Sequence, residues 1–167
     1  MLDYLKKSFF INFFIIIIIF SLDRISKILI IQKSKEIGSE EIFSSKFINF
    51  ELVWNNGIAF GLFSLDEGFA YQMISILIIF IVLILIYLTI RSNDYEKVGF
   101  ILILGGALGN LFDRIFYKRV PDFIDLHIDN FHWFIFNIAD ISITIGVICL
   151  IFVELFLNNK KLKNENE

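Results

Sequence analysis

The chain has 167 residues, of which 57% are hydrophobic, including 21 Phe and a single Pro, and its mean hydropathy is +0.74. A water-soluble domain is roughly 45–50% apolar, so this composition excludes an ordinary soluble fold and indicates an integral membrane protein. A net charge of -3 offers no basic field for nucleic acid, and one cysteine, Cys149, can form neither an internal disulfide nor a thiolate metal cluster.

The first apolar run covers about 9–31. Lys6 and Lys7 precede "SFFINFFIIIIIFSL", as in a secretory leader, but no small-residue cleavage site follows and apolar residues continue past "DRISK" to Ile31. The run therefore reads as an uncleaved span, with Asp23, Arg24 and Lys27 in its C-terminal part. Residues 32–68 are mixed. Within them "KFINFELVW" is aromatic and β-branched enough for one or two strands, and "NNG" is a turn signal. A small β platform and loop, lying on the outer surface, is expected there.

A second span of about 69–90 is uncharged throughout. The third, about 98–117, contains "GGALGNLFDR". Gly105 and Gly109 are four apart and share a helix face that lets another helix approach closely. Asn110, Asp113 and Arg114 also cluster on one face; a packing motif closed by an Asp113–Arg114 ion pair is the structural reading of this stretch. In "RVPDFIDL", Pro121 biases Val120 to extended geometry, so the chain is expected to leave the helix and turn back. The fourth span, about 137–157, opens with "FNIAD" and puts Asn137, Asp140 and Thr144 in a polar stripe at i, i+3 and i+7. A tail from 158 to 167 is polar and expected to fray.

The expected fold is thus a mainly α membrane protein. It has four transmembrane helices, a small β platform on the outer, periplasmic face, and one domain over 1–167. Four alternating spans put both termini on one side and gather the intramembrane charges at one face of the membrane, where such groups pair and mark function. Lys and Arg in the loops lean towards cytoplasmic termini.

Asp122 and Asp140 flank a short excursion between two spans that leave and re-enter on the same side. Two close carboxylates in a poorly hydrated site share a proton. One acts as base towards water while the other donates to a substrate carbonyl, which is aspartic-protease chemistry and needs no metal. The bland reading of Asp140 is a carboxylate favoured by the helix dipole; that of Asp122 is a solvated turn residue. Other chemistries fare worse. Cys149 has no base at helical spacing, and no Gly-rich phosphate loop follows a strand. His127 and His132, five apart, lack the spacing of a zinc site and read as surface or interfacial residues. The rival functions are a proton- or ion-coupled transporter and a non-catalytic assembly factor. Clustered charges suit the transporter, but they gather at one face instead of forming a relay.

"DRISK", "WNNGIAFG", "GGALGNLFDR", "VPDFID" and "FNIAD", in this order around four apolar spans, resemble the bacterial lipoprotein signal peptidases (signal peptidase II). The resemblance runs from Asp23 to Thr144. It implies an aspartic endopeptidase that cleaves prolipoproteins before a diacylglyceryl-modified cysteine, with Asp122 and Asp140 as the catalytic dyad. It implies no cofactor, a location in the inner membrane with cytoplasmic termini and an outer-face active site, and inhibition by the cyclic peptide globomycin. A monomer is expected to house the whole site. Asn55, Asn110, Arg114 and Asn137 match polar positions that line the family's site. Gly57, Ala59 and Gly61 would keep the platform loop small, Asp23 and Lys27 would form a supporting ion pair, and Asp113 would support Arg114. Pro121 and Ile141 depart from the family pattern, which more often has a β-branched and a hydroxyl residue at those places.

Overall fold

The computed structural model describes residues 2–56, 69–92 and 94–158. The helices are α1 (Leu2–Ile37), α2 (Phe69–Arg91), α3 (Asp94–Tyr117) and α4 (Ile138–Phe152), the last continued by a π-helical turn at Val153–Asn158. The strands are β1 (Glu41–Phe43), β2 (Ile48–Asn55), β3 (Val120–Ile128) and β4 (Phe131–Phe136). They form one antiparallel sheet in the order β1-β2-β3-β4. Gly57, Ala59 and Gly61 lie outside the described residues, as does the tail beyond Asn158.

Among the described residues, three helices are long and apolar enough to cross a membrane: Gln72–Arg91, Tyr95–Tyr117 and Ile138–Phe156. Only 22% of the α2 and α4 windows is buried inside the protein. Ile76, Leu77, Phe80, Leu83 and Ile90 on α2 point outwards. Rows of large apolar side chains facing outwards call for an apolar surrounding medium.

Small residues set the helix packing. A Cβ on Gly105 would lie 2.9 Å from Ile19, and one on Gly109 would lie 2.5 Å from Asp23 Oδ2. Lys27 pairs with Asp113 one turn further along. Contacts that advance together in both helices mean that α1 and α3 run parallel. On the neighbouring face a Cβ on Gly106 would strike the Ala139 carbonyl, and Ser142 Oγ donates to Leu102 O at 2.9 Å. These contacts run in opposite directions, so α3 and α4 are antiparallel. Val82, Leu85 and Leu104 form the apolar core between α2 and α3, with Ile78, Phe100 and Leu108 against it.

The excursion between α3 and α4 is not the plain turn that the proline suggests; it is a β-hairpin. Ile128 and Phe131 pair across Asp129 and Asn130, and Asp129 takes a positive φ of 51° that aspartate tolerates. β3 also pairs with β2, so two distant segments complete one sheet. Pro121 occupies the second position of β3, opposite Trp54 and beyond the described ladder to β4, which begins at Ile124–Phe136. A residue without an N–H is tolerated near the start of a strand.

Candidate active site

Asp122 stands near the start of β3 and Asp140 in the first turn of α4. Asn137, between them in sequence, ties them together. It is the N-cap of α4: its Oδ1 accepts from the Asp140 N–H at 3.1 Å, and Asp140 Oδ2 accepts from the Asn137 N–H at 3.1 Å. This reciprocal capping box satisfies two of the amides that every helix start leaves without partners. With its oxygen committed to the helix, the Asn137 side chain has only its Nδ2 to offer, and it donates to Asp122 Oδ1 at 2.6 Å. One buried amide therefore clamps both carboxylates.

The other carboxylate oxygens are held in the same manner. Asn55, the last residue of β2, donates from Nδ2 to Asp122 Oδ2 at 2.9 Å. Asn110 donates from Nδ2 to Asp140 Oδ1 at 2.8 Å. The orientation of Asn110 follows from its other side: Lys27 Nζ, which can only donate, reaches Asn110 Oδ1 at 2.9 Å. All four oxygens of Asp122 and Asp140 thus accept from neutral amides. Asp122 is 5% exposed. Burial, then the nearby Asp140 charge, push its carboxyl up to about 6, against the donors Asn55 and Asn137, which favour the ionised form.

Beneath this pair lies a second polar layer. Lys27 Nζ donates to Asp23 Oδ2 at 2.9 Å and to Asp113 Oδ2 at 2.7 Å. Arg24 pairs with Asp113 Oδ1 at 2.5 Å and Asp23 Oδ2 at 3.2 Å. Asp23, Lys27 and Asp113 are all fully buried. Asp113 thus finds its cations on α1, where the local reading of "FDR" pairs it with Arg114. Asp23 Oδ1 also accepts from the Ala139 N–H at 3.0 Å, so α1 caps the start of α4. Arg114 is buried in the last turn of α3.

An apolar cavity of ≈ 360 Å³ opens beside Asp140, lined by Leu126, Trp133, Phe134, Phe136, Ile141 and Thr144 among others. Ile141, the departure noted in the sequence, is part of this apolar wall. Asp140 and Thr144 of the helical stripe reach the cavity, while Asn137 is turned inwards to its clamp. Sequence reasoning leaves Arg24 out of the site, although its spacing from Lys27 in "DRISK" places both on one side of α1. It reads both histidines as surface or interfacial residues; His132 is exposed, while the His127 side chain is 9% accessible because it packs within the sheet.

A mainly helical protein with apolar outer faces and two amide-held carboxylates, one buried and one half-buried beside an apolar cavity, has the parts of an aspartic-type membrane protease. The comparisons with known proteins agree. The family model described as signal peptidase (SPase) II matches residues 15–156. A lipoprotein signal peptidase of Pelagibacter ubique (strain HTCC1062) is 49% identical over 160 residues, covering 96% of each chain. That of Anaplasma marginale (strain Florida) is 37% identical over 158 residues, covering 92% of this chain and 89% of the other. A solved structure described as "Bacterial membrane enzyme structure by the in meso method at 2.3 A resolution" superposes with a TM-score of 0.74 at 34% identity, covering 90% of each chain. The chain belongs to the signal peptidase II family. It is accordingly a membrane hydrolase of the aspartic type, from a family that processes bacterial prolipoproteins.

Proposed function

We propose that Asp122 and Asp140 are the catalytic pair and that they hydrolyse the bond preceding a diacylglyceryl-modified cysteine in prolipoproteins. The Asn137 clamp carries this reading, because it holds two carboxyl groups, one on a strand and one on a helix, against a common neighbour. One carboxylate takes a proton from a water placed between them while the other, protonated, donates to the scissile carbonyl. The tetrahedral intermediate collapses, the C–N bond breaks, and the leaving amine takes the proton gained from water. Titration belongs to the pair as a whole.

Asn55, Asn110 and Asn137 are positioning residues that fix the carboxylates, and Asn55 and Asn110 are suited to hydrogen-bond an extended substrate backbone. Arg114 and Gly57 would supply further contacts to the substrate. The apolar cavity beside Asp140 is suited to an acyl chain or an apolar signal-peptide side chain, so that lipid burial serves as the specificity handle. The same surface would accept globomycin-type cyclic peptides.

In this reading α1 is the fourth span. Its 36 residues reach about 54 Å at 1.5 Å per residue, more than the roughly 30 Å of a hydrocarbon core. Phe10, Phe13, Phe14 and Ile18 face outwards, while its charges are buried against α3 and α4. Both termini then lie in the cytoplasm, the sheet and the dyad lie at the outer face of the inner membrane, and one domain acts as a monomer.

The test is cleavage of a diacylglyceryl prolipoprotein by the purified protein in lipid. Wild type is expected to release the signal peptide, and Asp122→Asn and Asp140→Asn are expected to abolish release while keeping the wild-type fold. Full cleavage by either folded variant would remove that residue from the pair.

A further inference from the structure

The chain has only two histidines, and the fold sets them face to face. His127 on β3 pairs across the ladder with His132 on β4, and the two rings stack with centroids 5.0 Å apart. Asp125 lies two positions before His127 and so shares its face of the strand. Asn49 lies opposite Asp125 on β2. Asp122, three positions before Asp125, falls on the other face with Ile124 and Leu126. The group therefore backs the strand that carries Asp122 and takes no part in the amide clamp.

Three donor atoms converge. His132 Nδ1 is 2.8 Å and His127 Nδ1 is 3.7 Å from Asp125 Oδ2, and one ligand atom from each residue lies within 4.8 Å of the other two. Asp125 is 2% exposed. Its Oδ1 and His127 Nδ1 are both buried without a hydrogen-bond partner among the described residues. Leaving such groups unsatisfied is costly, and a single cation would engage both. Zinc ligands about 2.0–2.2 Å from the ion stand about 3.4 Å apart in a tetrahedron. The His127 separation is already close to that, and the His132 side chain, 55% exposed, has room to swing outwards by the small amount required. Asn49 Nδ2 donates to Asp125 Oδ2 at 3.1 Å and orients the carboxylate, as outer-shell partners of metal ligands do.

We propose that Asp125, His127 and His132 form a binding site for a divalent transition-metal ion of the zinc class. Two imidazoles and a carboxylate from adjacent strands are the donor set such ions take, with water completing the shell. The ion would staple β3 to β4 and stiffen the sheet behind Asp122; no step of peptide hydrolysis passes through it.

The experiment uses tag-free, chelator-treated protein in lipid nanodiscs, titrated with zinc chloride by calorimetry and by thermal melting, with cobalt(II) absorption as a second probe. One saturable site per chain, a higher Tm with zinc and a tetrahedral cobalt band are expected. His132→Ala, at the most exposed ligand, is expected to weaken binding at least tenfold and to erase the Tm gain, while its melt without metal falls by much less than the zinc-induced gain it loses. Asp125→Asn provides an independent check. Absence of saturable binding by wild type, or unchanged binding by His132→Ala, overturns the site. So does a His132→Ala effect on melting that is the same with and without zinc, because it would reduce the cluster to a hydrogen-bonded pair. Prolipoprotein cleavage is measured separately, so failure of the metal site and failure of the aspartate pair are distinguishable.

Discussion

Four aspartates, three of them buried and Asp140 half-buried, stand close together, and they fall into two kinds. Asp23 and Asp113 each touch both Arg24 and Lys27. Asp122 and Asp140 are held by the amides of Asn55, Asn110 and Asn137. The residue type is the same; the main difference is in the neighbours. A cation in contact supplies the compensating charge that a buried carboxylate otherwise lacks. A neutral amide orients a carboxylate without supplying one. The first pair, the frame, ties α1 to α3; the second is the pair proposed to do the acid–base chemistry. Lys27 links the layers, since its third contact is Asn110 Oδ1, which turns the Asn110 amide towards Asp140.

The strongest way to break this comparison is to treat the second pair as structural. Replacing Asp122 or Asp140 by asparagine should lower prolipoprotein cleavage by at least about 10³-fold, within the range for loss of acid–base groups, with normal yield and secondary structure. The converse holds for the frame. Lys27→Met leaves Asp23 and Asp113 short of a cation and should destabilise the protein by about 3–5 kcal/mol, read as a large fall in Tm in detergent, with lost activity following lost fold.

A subtler discrimination uses pH. Asp122 holds its proton more tightly in the folded protein, at about 6 against an ordinary 3.8. The stability this contributes is full below 3.8 and is lost as pH rises through about 6. Asp122→Asn, which cannot ionise, should therefore raise Tm at pH 7.5 by the equivalent of up to about 3 kcal/mol, and the gain should vanish near pH 3.5. A mutant that is inactive yet more stable at neutral pH separates this pair from the frame. The smallest effect concerns the alkaline limb of kcat/KM, where the free enzyme loses the shared proton. Asn55 favours the ionised form of Asp122, so Asn55→Ala should move that limb to higher pH, with a rate change under about tenfold at pH 7. A limb that does not move would detach Asn55 from Asp122 in solution.

Much of the architecture is legible in the residue pattern. Apolar runs of the right length locate the helices to within a few residues at α2 and α4, since a helix in lipid must be long and continuous to satisfy its own backbone. α1 and α3 extend beyond the expected spans, because helical hydrogen bonding continues into polar flanks that hydropathy ignores. Asn137 and Asp140 can be placed at a helix start from "FNIAD" alone. The hairpin carrying Asp122 escapes such a reading for two reasons. Pro121 marks only where the helix ends and the chain becomes extended, and the apolar-rich "FIDLHI" and "FHWFIF" do not show the clean alternation of a half-buried strand. The Asp125–His127–His132 group is invisible in the sequence because its members meet across a strand pair, not along the chain.

The sequence by itself determined the membrane class, the apolar helices, the helix start near Asn137 and Asp140 and the family, because these depend on composition, periodicity and residues a few positions apart. Apart from the Asp23–Lys27 pair, which lies within one turn of α1 and is expected from the sequence, only the tertiary structure decided which carboxylates meet cations and which meet amides. That choice rests on Asp23, Arg24 and Lys27 from α1, Asn55 from β2, Asn110 and Asp113 from α3, Asp122 from β3, and Asn137 and Asp140 at the start of α4. A pairing among side chains so far apart in the chain is fixed by packing distance, and no local pattern encodes it.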